Sequence, residues 1–425
     1  MTKRRLLIVG VGVALAVGMA VGHGLQAKKV ETDDGVYQQL ELFTDALSII
    51  QDDYVEQPEA KQLVYGALKG MLQTLDPYSQ FLDPDSYNEL KIDTEGQFGG
   101  LGIEITIKDD LLTIISPIDD TPAYKAGLKP GDRIVKIDGQ LTRGITLLDA
   151  VKKLRGKSGT SVGLTVLREG ENELKDFTLT RDIIKIQSIR EAKVMDDHIG
   201  YVRVSDFREN TSKDLESALE KLKSQKIDGI ILDLRNNPGG LLDVSVTVSE
   251  LFLNRQQLVV STKGRLRSQN LEFRSRRDGI ARELPMVVMV NEGSASASEI
   301  VAGAMQDHRR AIILGTKSHG KASVQTIFPL KDGSALRLTT SKYFTPAGRM
   351  IHGQGIMPDV VVPFEEPSKD KKEKDDKAEK LFNTIEHPEQ KDAKKEEPPL
   401  DNQLARAVDL LKGIRVYQAS LKSVN

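Results

Sequence analysis

Three serines alternate with alanine in Gly-Ser-Ala-Ser-Ala-Ser-Glu, residues 293–299, just after the apolar run Met-Val-Val-Met-Val at 286–290. Small hydroxyl residues at the end of a buried strand suit a nucleophile. The middle serine, Ser296, also begins a Ser-x-x-Glu pattern with Glu299, in which a serine hydroxyl merely caps the following helix. The two roles compete for one oxygen. A strand–turn–helix start favours chemistry as well, because free backbone N–H groups and the positive helix end lie beside the hydroxyl and can stabilise an oxyanion. The G-x-S-x-G elbow has this geometry, but serine at 298 departs from that motif.

A serine nucleophile needs a base. Residues 315–325, Gly-Thr-Lys-Ser-His-Gly-Lys-Ala-Ser-Val-Gln, hold two candidates to accept its proton, His319 and Lys321, with Gln325 close by. A lysine serves only when neutral, so its usual pKa of about 10.4 must fall toward roughly 7–8. Burial does this by disfavouring the ammonium. The small and apolar neighbours Gly320, Ala322 and Val324 suit a lysine tucked against backbone, and Gln325 is placed to hold the amine by a hydrogen bond. The competing readings are an exposed strand-edge lysine and a surface histidine.

Composition removes other chemistries. There is no cysteine, hence no thiol nucleophile, disulfide or cysteine metal site, and the 6 histidines are scattered without HExxH. No metal and no cofactor is expected. A net charge of −2 gives no basic excess for nucleic acid.

The elements that must position Ser296 and Lys321 are legible from periodicity. Residues 199–315 alternate strands and helices, which implies crossover units and an α/β core. Residues 36–75 carry apolar residues at helical spacing, broken near Pro58. From Gly96 to about Thr180 short strands and glycine turns indicate a small domain, with brief helices opening at Thr121 and Thr146. The expected organisation is a leader or anchor at 1–27, a helical segment at 28–95, the small domain at 96–180 and the α/β core at 181–364. A charged linker at 365–399 and a helical segment at 400–425 complete it. The basic Lys3-Arg4-Arg5 before the apolar run 6–22 marks an export signal, cleaved or retained.

Taken in order, "AGLKPGDRI" (126–134), "DLRNNPGG" (233–240), "SASASEI" (294–300), "GKASVQT" (320–326) and "TPAGR" (345–349) resemble the carboxyl-terminal processing peptidases, or tail-specific proteases, over roughly 36–364. The resemblance implies a mixed α/β fold with a PDZ domain inserted before the protease core. It implies an exported serine endopeptidase of the bacterial periplasm or outer face of the inner membrane, using a Ser/Lys dyad. Carried over residue by residue, Ser296 is the nucleophile, Lys321 the base and Gln325 its partner. Ala297 N–H with Gly239 or Gly240 forms the oxyanion hole. His319 and Ala322 depart from the residues usual in relatives, and the histidine leaves a second base formally open.

Residues 97–180 resemble a PDZ domain, in which a substrate tail adds a strand to a sheet edge and its carboxylate sits among backbone N–H groups. Gly100, Leu101, Gly102 and Ile103 are the expected tail-binding loop and strand, with Leu147 and Val151 on the opposing helix. The partners so implied are proteins or peptides with apolar C-termini, a second copy of the chain through the terminal helices, and an adaptor lipoprotein. A silent PDZ binding module or chaperone is the alternative function. A His/Asp/Ser protease fits poorly, because the PDZ unit precedes the catalytic half.

Overall fold

The computed structural model describes residues 34–365 and 401–424, apart from positions 169 and 172. The expected leader at 1–27 and nearly all of the expected linker at 365–399 lie outside the described residues. Two compact units divide at residue 71.

The first unit holds helix Asp34–Asp53 and most of helix Ala60–Gln73, as the broken helical period anticipates. Val36, Leu40 and Phe43 recur at three- and four-residue spacing and share one apolar groove with Val64, Leu68 and Met71.

In the second unit, the small domain is a six-stranded antiparallel sheet running from Ile103–Lys108 to Leu174–Thr180. The Asp109-Asp110 hairpin, with both residues at positive φ, joins its first two strands. Thr146 caps helix Leu147–Leu154 by accepting from Asp149 N–H at 3.2 Å. Thr121 occupies its expected cap position but makes no cap bond; its hydroxyl reaches Ile118 O and Gly102 O instead. Leu112, Ile114, Ile134, Leu164 and Val166 fill the domain's core.

The larger domain is built on a six-stranded sheet in the order Ile189–Met195, Ile199–Val204, Gly229–Asp233, Met286–Val290, Ile312–Gly315, Val360–Val361. Its first pair is antiparallel and the other four are parallel. Alternate residues of one strand enter different cores. Met286, Val288 and Val290 pack with helices Thr211–Ser224, Leu242–Glu250 and Ala297–Asp307, while Val287 and Met289 face the opposite side. Such two-sided burial is why these strands read as unbroken apolar runs. The opposite face is covered by helix Asn402–Val424, whose Ala407 and Leu411 are fully buried against Ile199, Ile231 and Leu314.

A second, antiparallel sheet was not anticipated. Strand Ala335–Phe344 is its axis, pairing with Gln80–Leu82, Leu258–Gly264 and Ser323–Pro329. It holds the segment that carries Lys321 against the parallel core. Gln80–Leu82 lies inside the expected helical segment at 28–95, and only its long-range pairing makes it a strand.

Candidate active site

The strand Met286–Val290 delivers the three serines to one turn, and the turn gives them different work. The hydroxyl of Ser294 donates to Leu234 O at 2.7 Å and that of Ser298 to Asn237 O at 2.9 Å, both fully buried. They stitch the turn to the loop after the neighbouring strand. Ser296 is half-buried, holds φ +55° and ψ −113°, and makes no cap bond with its hydroxyl. A non-glycine residue at positive φ costs on the order of 1–3 kcal/mol and persists only where its surroundings fix it. Glu299 does the capping instead, its carboxylate accepting from Ser296 N–H at 2.8 Å. The hydroxyl is left for the cavity.

Lys321 lines that cavity of about 470 Å³ together with Ser296. Its pKa is lowered from the ordinary lysine value, first by burial and then by the nearby positive charge of Arg337. One contact acts in the opposite sense: Nζ lies 4.7 Å from the centre of the Tyr78 ring, whose face attracts a cation. No hydrogen bond joins the amine to the Ser296 hydroxyl among the described residues. Catalytic hydrogen bonds are often loose without substrate. His319, the alternative base, is exposed and does not line the cavity.

Two residues that sequence reasoning left out of the site hold it together. Glu299 is fully buried and accepts four hydrogen bonds: from Ser296 N–H, Lys321 N–H, Gly320 N–H and the Ser318 hydroxyl. Tyr343, from the unanticipated sheet, sets its hydroxyl against the carbonyls of both Ser296, at 3.1 Å, and Lys321. Burial raises the Tyr343 pKa well above its usual value, so the phenol stays protonated and donates. Glu299 stood in the sequence as a cap partner; nothing local flagged Tyr343.

Gln325 lines the same cavity, but its amide donates to the Ser323 hydroxyl at 2.8 Å and the Thr339 hydroxyl at 3.4 Å. The expected hydrogen bond to the lysine amine is not formed in this structure. The loop after strand Gly229–Asp233 brings Gly239 against Ser296 and Gly240 into the same cavity. A Cβ on Gly239 would lie 2.8 Å from Ser296 Cβ and 2.9 Å from Ala297 N, so only glycine fits. Gly239 N–H is already given to the Asn237 side chain at 2.9 Å. The N–H groups of Ala297 and Gly240 form no hydrogen bond among the described residues, and Gly240 also lines the cavity.

In the small domain, Leu101, Gly102, Ile103 and Val151 line a narrow groove of about 90 Å³ between strand Ile103–Lys108 and helix Leu147–Leu154. Gly102 sits at φ +75° with Thr121 so close that any Cβ would clash. Gly100 pairs with Asp182 just before the groove, and Leu147 is exposed at the helix start, outside it. Phe98 and Arg155 also line it, the guanidinium stacked 4.5 Å from the ring centre.

The chain is similar to several known proteins. Residues 198–362 match peptidase family S41, 113–168 the PDZ domain, and 16–86 the N-terminal domain of the activating protease CtpB. The "Carboxy-terminal-processing protease" of Bartonella bacilliformis is 44% identical over 370 residues, covering 86% of this chain and 84% of the relative. The "Carboxy-terminal processing protease CtpA" of Bacillus subtilis is 35% identical over 337 residues, covering 79% and 71%. Among solved structures, the "Photosystem II D1 C-terminal processing protease" is similar at 30% identity and TM-score 0.44, over 76% of this chain and 92% of that one. The chain is a member of the carboxy-terminal-processing proteases of peptidase family S41, with a PDZ domain set between its N-terminal part and its protease core.

Proposed function

We propose that this protein is an exported serine endopeptidase that captures the C-terminal tails of proteins in its PDZ groove and cuts them with a Ser296/Lys321 dyad. The observation that carries this reading is a serine hydroxyl free of its helix cap in the same cavity as a lysine whose charged form is disfavoured by burial. Neutral Lys321 Nζ takes the proton of Ser296 Oγ as the oxygen attacks the scissile carbonyl carbon. The N–H groups of Ala297 and Gly240 receive the oxyanion; Gly239 acts by letting its backbone approach rather than by donating. The tetrahedral adduct collapses, the amine leaves with the proton from Lys321, and water then attacks the ester as Lys321 again accepts a proton. Gln325 holds the wall of the cleft through Ser323 and Thr339.

Tail capture is supported by the groove built on Leu101, Gly102, Ile103 and Val151. Export is supported by the basic-then-apolar run at 1–22. Assembly through the terminal helices and activation by an adaptor lipoprotein belong to the same reading. Labelling with a serine-directed phosphonofluoridate tests it: the reagent is expected on Ser296 of the wild type and absent from Ser296→Ala. Silence of the wild type towards both the reagent and unfolded protein would favour a binding module instead.

A further inference from the structure

The cleft contains a positive charge that the dyad does not use. Arg337 stands on strand Ala335–Phe344 opposite Ile327, and both side chains line the cavity that holds Ser296 and Lys321. Its Nε is buried and has no hydrogen-bond partner, and no carboxylate pairs with its guanidinium among the described residues. The cavity's own acids do not answer it. Asp206 is already engaged by Ser188, Ser205 and Arg208. Asp93 is exposed on the rim, on helix Pro84–Glu95. A desolvated guanidinium N–H without an acceptor is costly, and its planar fork matches a carboxylate.

Taking the Ser296/Lys321 reading of the cavity as given, we propose that Arg337 is a specificity-determining residue that binds a carboxylate of the substrate within the catalytic cleft. The PDZ groove selects the tail; Arg337 selects the segment brought to the nucleophile. The carboxylate comes either from an acidic side chain near the scissile bond or from the terminus of a short tail.

The test uses the full-length enzyme and unstructured peptides with an apolar C-terminus, made in pairs that differ only by Glu or Gln at each position flanking the cut. Each pair is prepared with a free and an amidated end. One or two positions are expected to favour Glu about tenfold in kcat/KM, the scale of one charge-assisted hydrogen bond. That ratio is expected to fall to near one in Arg337→Met and to be partly kept in Arg337→Lys. If instead the ratio of free to amidated ends falls in Arg337→Met, the carboxylate is the terminal one; discrimination that survives there belongs to the PDZ groove. Equal kcat/KM for every Glu/Gln pair in the wild type together with a free-to-amidated ratio unchanged in Arg337→Met, or a Glu preference unchanged in Arg337→Met, overturns the proposal. Cleavage retained by Ser296→Ala would mean that the dyad reading fails instead, and fluorescence anisotropy of the same pairs on Ser296→Ala still reads the Glu preference if turnover is absent.

Discussion

Ser296 and Lys321 donate their backbone N–H groups to the same oxygen, Oε2 of Glu299, at 2.8 and 2.9 Å. Their carbonyls meet again at the Tyr343 hydroxyl. Ser296 and Lys321 are thus fixed to each other through their own peptide groups, independently of what their side chains do.

Glu299→Gln should separate this anchor from the chemistry. A carboxamide has one accepting oxygen and would turn an N–H₂ group toward donors, leaving at least one buried donor unpaired at about 1–3 kcal/mol. The expected outcome is a large loss of kcat with Ser296 and Lys321 intact, and a lower midpoint in urea unfolding. Wild-type kcat in the variant would contradict the anchoring role.

Tyr343→Phe removes the second tie while leaving the ring's packing. It should lower stability by about 1 kcal/mol, since the part-buried carbonyls of Ser296 and Lys321 lose this donor. kcat should fall more than KM rises, because the hydroxyl is already engaged by the carbonyls of Ser296 and Lys321. Steady-state kinetics on a quenched peptide decides.

The pH profile follows from the direction of the Lys321 shift. Burial and Arg337 disfavour the ammonium, so the neutral base appears at a lower pH than the usual lysine value of about 10.4. kcat/KM should therefore rise with pH to a plateau, its midpoint below that value. Arg337→Met removes one of the two causes and should move the midpoint up, reducing activity near neutrality and restoring part of it in alkaline buffer. A midpoint unchanged by that substitution would remove Arg337 from the electrostatics of the base.

The strand ends and helix starts around Ser296 were readable because they are local: an apolar run buried on two faces, then a turn, then a helical period. The roles inside the turn were not. Ser294, Ser296 and Ser298 are the same residue type at equal spacing, and only their neighbours on the loop after Asp233 distinguish the two ties from the free hydroxyl. Tyr343, Tyr78 and Arg337 reach the site through pairings between distant strands, such as Gln80 with Arg337, that leave no mark in any short window. Gln325 lines the cavity with Lys321 but bonds Ser323 and Thr339 rather than the amine, because four residues of spacing do not fix where a strand's side-chain amide turns.

Arg235 ties the end of strand Gly229–Asp233 to the C-terminal helix, bonding Asp233 and Asp401 at once, both at 2.7 Å. Burial opposes ionisation of Asp401, but hydrogen bonds from Arg235 and from Leu404 N–H outweigh it and hold its pKa below the usual carboxylate value. A depressed carboxylate stabilises the fold above the unfolded value, about 3.9, and loses that contribution as pH falls through the folded one. Docking of helix Asn402–Val424 should weaken in that acidic window. Hydrogen exchange over 401–424 should rise there earlier than exchange over 286–290, and Asp401→Asn should bring the rise to neutral pH.

The base assignment is tested most directly by the rates of purified Lys321→Ala and His319→Ala on one unfolded protein substrate, measured beside the wild type. Lys321→Ala should be inactive, at least about a thousandfold down as for removal of a nucleophile's base, and His319→Ala should keep most of the wild-type rate. Turnover by Lys321→Ala together with loss in His319→Ala would assign the proton to the histidine and contradict the dyad.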